Sequence, residues 1–285
     1  MPYNNHIQAT RKVDGSMDTA VLFALGLTLF AGLATGIGSL IAFFASRTNT
    51  KFLSISLGFS AGVMIYVSMV EIFVKAKTAL TDAHGDSLGY WLTIVGFFGG
   101  MIFMAALDRI LPQLENPHEV KTVEDMDAGP TNDQYAHLRK MGIFTALAIG
   151  IHNFPEGIAT FMSAIQDPSL GIAIAIAVAI HNIPEGIAVS VPIFYATGSR
   201  KKAFQYSVLS GISEPIGAIA AWLILMPFMS DTMFGIVFAG VAGIMVFISL
   251  DELLPAAKRY DEAHLSIYGL IAGMAVMAIS LVLIA

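Results

Sequence analysis

The sequence predicts an all-α polytopic membrane protein: eight transmembrane helices in a 3+2+3 arrangement with an inverted repeat. Three observations predict it. The 285 residues are 56% hydrophobic and 13% charged, with mean hydropathy +0.72, where a soluble domain carries about 25% charged residues. Eight segments reach the ~20 mainly apolar residues that a helix needs to cross a bilayer. Polar motifs recur inside those segments at matched places.

The segments are 18–46, 51–77, 87–111, 141–165, 169–196, 203–228, 231–256 and 264–285. They are rich in Gly and Ala, as packed membrane helices are. Residues 1–17 read as a polar N-terminal tail, and 18–285 as one eight-helix domain. The first segment is too long for a signal-peptide core and lacks a cleavage site, so it reads as a span. With both termini outside, eleven basic residues from Arg47 to Arg259 fall on the cytoplasmic side, against Arg11, Lys12, Lys75 and Lys77 outside. The net charge of −6 argues against a nucleic-acid partner, and the absence of Cys excludes disulfides and thiolate metal sites.

The third and fourth segments are joined by 112–138, which shows no periodicity and is expected to be a flexible cytoplasmic loop. It carries Glu115, Glu119, Glu124, Asp125, Asp127 and Asp133, with His118 and His137. A metal-handling tether is the alternative reading of that composition. The outer loop with Asp82, His84 and Asp86 carries little weight.

Two repeats organise the chain. "GIHNFPEGIA" (Gly150–Ala159) returns as "AIHNIPEGIA" (Ala179–Ala188) in the next segment, across a short "QDPSL" turn. "AGVMIYVSMVE" (Ala61–Glu71) in the second segment returns as "AGIMVFISLDE" (Ala242–Glu252) in the seventh. Those two segments cross in opposite directions, which is the signature of an inverted repeat. Glu71 then lies near the outer end of its helix and Glu252 near the inner end, as an entrance and an exit. A further echo, "ALDRILP" (Ala106–Pro112) and "SLDELLP" (Ser249–Pro255), gathers Asp108, Asp251 and Glu252 at the cytoplasmic ends as a release site.

Residues four apart share a helix face, so His152 pairs with Glu156 and His181 with Glu185. Asn153 and Asn182 lie about 100° round. Pro155 and Pro184 are expected to kink their helices and free the carbonyls of Ile151 and Ile180. Glu214, in "GISEPIG", adds a third intramembrane carboxylate. Each charge at the bilayer centre costs about 2.5–3.5 kcal/mol even on the lenient scale. No Lys or Arg lies at comparable depth, so the carboxylates need protons or a bound cation. Two imidazoles beside them favour a divalent transition metal: zinc, with iron(II), manganese, cobalt and cadmium as alternatives. On residue type alone Met64 reads as core.

The strings "HNFPEGIATF", "HNIPEGIAV", "LGFSAGVM" and "SLDELLP" resemble the ZIP (Zrt/Irt-like) family of divalent metal transporters, over about residues 18–285. The resemblance implies eight helices, both termini outside, and a binuclear intramembrane metal site. The first metal would take His152, Glu156, His181 and Glu185 with Met64; the second Asn153, Asn182 and Glu214, with Glu156 and Glu185 bridging. It also implies Glu71 at the outer mouth, Asp108 and Glu252 at the exit, His118 as the loop histidine, uptake into the cytoplasm across the inner membrane, and a homodimer.

A metal channel is the nearest alternative, since inverted repeats also build channels. An intramembrane di-metal enzyme is the other. The H-E-x-x-H string of zinc proteases is absent, and the order here is His-x-x-x-Glu rather than the Glu-x-x-His of di-iron oxidases. No catalytic cofactor and no enzymatic activity are expected.

Overall fold

A computed structural model describes residues 14–44, 50–110, 132–259 and 264–284. Among these there is no strand. The first span is α1 (Asp14–Phe44). The second is α2 (Thr50–Tyr66), a π-helical turn (Val67–Ile72) and α3 (Phe73–His84), without a break. The third is α4 (Asp86–Ile110), the fourth α5 (Asn132–Gln166), the fifth α6 (Pro168–Thr197) and the sixth α7 (Arg200–Ala220). The seventh comprises α8 (Asp231–Ile248), a π-helical turn (Ser249–Leu253) and α9 (Leu254–Arg259); the eighth is α10 (Leu265–Ile284).

Seven of the spans are long and apolar enough to cross a membrane. The remaining helix, α5, has 35 residues and carries His152, Asn153 and Glu156 within it. The protein is an integral, multi-pass membrane protein. Large apolar side chains such as Phe30, Trp91, Phe98, Leu223 and Val282 face outward, as lipid contact requires.

Several helices outrun their apolar windows. α1 starts at Asp14 rather than 18, α3 runs to His84 rather than 77, and α5 starts at Asn132, inside the stretch read as a flexible loop. Hydropathy marks where a helix meets lipid, but backbone hydrogen bonding continues past that plane. The rest of the expected loop, with His118, lies outside the described residues, as do residues 1–13.

Local chemistry sets the turns. Asp167 caps α6 by accepting from the backbone N–H of Ser169 (2.9 Å) and Leu170 (3.4 Å), and Pro168 opens the helix. Gly198 closes α6 at φ 62°. Ser199 and Ser230 cap α7 and α8 through the N–H of Lys202 and Met233.

Burial ranks the helices. The apolar windows of the α6 span and the α8 span are 67% buried, whereas those of α4 and α10 are 22% buried. The central pair is therefore shielded by α1, α2, α7 and α8, with α4 and α10 outermost.

Glycines let the backbones touch, and they do so in matched sets. Gly157 (α5) backs onto the Glu214 carbonyl of α7, and Gly217 onto that of Phe154. In the counterpart pair, Gly186 (α6) backs onto the Thr35 carbonyl of α1, and Gly38 onto that of Ile183. Likewise Gly62 meets Leu270 and Gly273 meets Phe59 between α2 and α10, while Gly243 meets Phe97 and Gly100 meets Gly240 between α8 and α4. Gly32 and Gly211 meet each other's carbonyls where α1 crosses α7. The first three spans thus pack on the rest as the last three do, inverted. The π-turns of the second and seventh spans also fall at corresponding places.

The helices continue as α-helix through Pro155 and Pro184. Departures from α geometry lie at the π-turns Val67–Ile72, Ala221–Leu225 and Ser249–Leu253 and at a 3-10 turn, Met226–Phe228.

Candidate functional site

The repeated motif places seven polar side chains at one level of α5, α6 and α7. His152, Asn153, Glu156, His181, Asn182, Glu185 and Glu214 are each at most 3% exposed. No Lys or Arg with a described side chain is buried. The carboxylates are therefore surrounded by neutral or imidazole groups in a medium that charges them heavily for desolvation.

His181 is held by two contacts. Its Nδ1 lies 3.1 Å from the Ala177 carbonyl, one turn back on α6, and its Nε2 lies 3.3 Å from Glu156 on α5. A carbonyl can only accept, so Nδ1 carries a proton. In the neutral ring Nε2 then presents a lone pair to a carboxylate. Two acceptors facing each other need a proton or a metal ion between them. Adjacent ligands of a tetrahedral zinc, each at about 2.0–2.1 Å, stand roughly 3.3 Å apart, so the spacing suits an ion.

Asn182 links three elements. Its amide donates to the Ala31 carbonyl of α1 at 2.9 Å and to Glu214 Oε1 of α7. That leaves Asn182 Oδ1 and Glu214 Oε2 buried without a hydrogen-bond partner among the described residues. Two oxygens of this kind suit a cation better than a further donor-poor neighbour.

Asn153 has two settings of its amide. One donates to the Ser210 carbonyl at 3.3 Å. The other donates to the Ile149 carbonyl at 3.1 Å and to Glu185 Oε2 at 3.2 Å. The first repeats the Asn182–Ala31 contact, since Ser210 precedes Glu214 by one turn as Ala31 precedes Thr35.

His152 also reaches the seventh span. Its Nε2 lies 2.9 Å from Glu252 Oε1 on the seventh span. The sequence placed Glu252 at a separate exit; the structure brings it, 4% exposed, against the central histidine. Among the described residues no group of three or more His, Asp or Glu side chains is assembled as a ready metal cage. Two pairs stand in its place, His181 with Glu156 and His152 with Glu252.

Met64 is wholly buried on α2. Glu71 lies apart from the central cluster. It ion-pairs with Lys75 at 3.3 Å and lines a pocket of about 320 Å³ with Tyr66, Asp167 and Ser169, between the second span and the α5–α6 turn. Asp108 is half-buried on α4, Asp251 is exposed, and His118 lies outside the described residues. His84 bonds Thr232 Oγ1 at 2.8 Å, linking the last turn of α3 to the first turn of α8.

Sequence reasoning missed the carbonyls of Ala31 and Ser210, the His152–Glu252 contact and Thr35. The constant separation between α1 and α7 positions, "TGIG" (35–38) against "EPIG" (214–217), could have found the last of these.

A family model described as ZIP Zinc transporter matches residues 112–281. The chain is 76% identical over 268 residues to a Lysinibacillus sphaericus protein named Zinc transporter ZupT, covering 94% of this chain and 100% of that one. It is 71% identical over 265 residues to the Oceanobacillus iheyensis protein of that name (93% and 99% covered), and 61% identical over 267 residues to the one from Streptococcus mutans (94% and 99%). With the repeated motif gathered at one depth of an eight-helix bundle, these matches settle descent: the chain belongs to the ZIP transporter family.

Proposed function

We propose that the protein takes up divalent transition-metal ions across the inner membrane into the cytoplasm, with zinc as the main cargo and iron(II), manganese, cobalt and cadmium as others. The observation that carries this reading is His181: Nδ1 anchored on a carbonyl, Nε2 aimed at the Glu156 carboxylate. A backbone acceptor behind a histidine fixes the tautomer that binds metal. The relatives named for zinc transport support zinc as the cargo.

The path starts at the pocket beside Glu71, on the side away from most basic loops. An arriving cation displaces Lys75 from Glu71 and moves inward, shedding water. His181 and Glu156 hold it first, with His152 or Glu185 completing the shell and Met64 beside it. Asn182 Oδ1 and Glu214 Oε2 offer a second position, with Asn153 next to it. Carboxylates shared between two ions bring like charges together, which weakens binding and speeds release. Glu252, Asp251 and Asp108 lead out to the cytoplasm.

Purified protein in liposomes tests this. Zinc uptake should saturate, and Glu185→Ala should abolish it. Wild-type uptake by that variant would remove the site, and flux that rises without saturation would favour a channel.

A further inference from the structure

The asparagines of the two repeat halves make corresponding contacts, but the residue one turn beyond each contact differs. Asn182 reaches across to α1 at Ala31 and to the Glu214 carboxylate. In one setting of its amide, Asn153 reaches across to α7 at Ser210. The residue one turn beyond Ser210 is Glu214, and the residue one turn beyond Ala31 is Thr35. Their carbonyls make the same contact, Glu214 with Gly157 and Thr35 with Gly186. Where one half has a carboxylate, the other has a hydroxyl.

Thr35 does not behave as packing filler. It is wholly buried, and its Oγ1 has no hydrogen-bond partner among the described residues. A helical threonine usually bonds its own backbone one turn back, as Thr93 does to the Gly89 carbonyl at 2.8 Å. Thr35 forgoes that bond. Its hydroxyl lies over Gly211, where an added Cβ would stand 2.8 Å away. This is the turn of α7 whose neighbouring carbonyl, Ser210, receives the Asn153 amide in one of its two settings. An unsatisfied buried hydroxyl carries a desolvation penalty, which a ligand in the site would offset.

We infer that Thr35 is a specificity-determining residue of the transport site, the neutral counterpart of Glu214, presenting its Oγ1 beside Asn153 as an uncharged oxygen ligand or hydrogen-bond partner for the hydrated ion. It keeps that half of the site one negative charge short of the other. An extra hard oxygen favours manganese over zinc, because imidazole-rich sites prefer zinc and oxygen-rich ones tolerate manganese. This rests on the metal-transport reading above.

The test is the ratio of zinc to manganese uptake, as kcat/KM, by the full chain in liposomes. Thr35→Val keeps shape and removes the oxygen; the ratio should rise threefold or more. Thr35→Ser keeps the oxygen and should hold the wild-type ratio. Ser39→Ala removes another buried, partnerless hydroxyl of α1, one turn away from the Asn153 side, and should also hold it. If Thr35→Val does not fold, Thr35→Ala carries the same reading. A ratio that rises less than threefold in folded Thr35→Val, or rises equally in Ser39→Ala, overturns the inference. Loss of transport in Glu185→Ala alongside such a result would leave the metal-transport reading standing, so the two failures are distinguishable.

Discussion

His152 Nε2 stands 2.9 Å from Glu252 Oε1, joining α5 to the π-turn of the seventh span. The repeat counterpart of that pair is His181 with Glu71, and it is not made: His181 holds Glu156, and Glu71 holds Lys75. Equal sequence halves in unequal arrangements have a second arrangement with roles exchanged. Removing one partner of a buried pair costs about 3–5 kcal/mol. Glu252→Ala should therefore lower the melting temperature and cut zinc uptake at least tenfold, while Glu252→Gln, which keeps a hydrogen bond, should lose less stability. Melting curves in detergent and initial uptake rates check this; an alanine variant with wild-type rate and stability contradicts it.

At the outer pocket, Lys75 competes with incoming cations for Glu71. Both side chains are partly exposed, 27% and 22%, and such a pair is worth about 0.2–1 kcal/mol. Lys75→Ala should lower the half-saturating zinc concentration by up to about fivefold without changing the maximal rate. A titration of uptake rate against free zinc reads this directly, and a higher half-saturation point would count against the entry route.

Glycine contacts separate close packing from mere helix composition. An added Cβ at Gly157 or Gly186 collides with a neighbouring carbonyl, whereas at Gly26 or Gly99 it meets nothing within 4 Å. Overpacking of this kind costs about 1–3 kcal/mol. Gly157→Ala and Gly186→Ala should lower thermal stability and uptake together. Gly26→Ala and Gly99→Ala should match the wild type in both assays.

The proposed second metal position rests on Glu214 Oε2 and Asn182 Oδ1, both buried without a hydrogen-bond partner among the described residues. Glu214→Gln replaces a carboxylate oxygen with an amide and cancels a charge. Calorimetry should then count one fewer zinc ion per chain than in the wild type, with the ion at His181 and Glu156 retained. Unchanged stoichiometry would show that Glu214 holds no ion.

Much of the fold was legible because lipid imposes it. Backbone groups in hydrocarbon must pair internally, so apolar length alone identifies the spans. The motif residues were legible because His, Asn and Glu have no other reason to recur inside such spans. Helix ends were less so: α5 begins at Asn132 and α3 ends at His84, beyond the apolar windows, because water does not stop a helix. The π-turns left no signal in composition, since they depend on how one helix seats against others.

The sequence by itself determined the class, the eight helices, the repeated set of His, Asn and Glu and the inverted relation of the second and seventh spans. Each follows from periodicity and from the energy of polar groups in lipid. Only the tertiary structure decided which groups face each other. It turned His152 to Glu252 rather than to its neighbours, set Asn182 across α1 and α7, and left Thr35 opposite Glu214. Those choices are made by glycine-mediated backbone contacts between helices far apart in the chain. No local pattern encodes the rotation at which two helices finally meet.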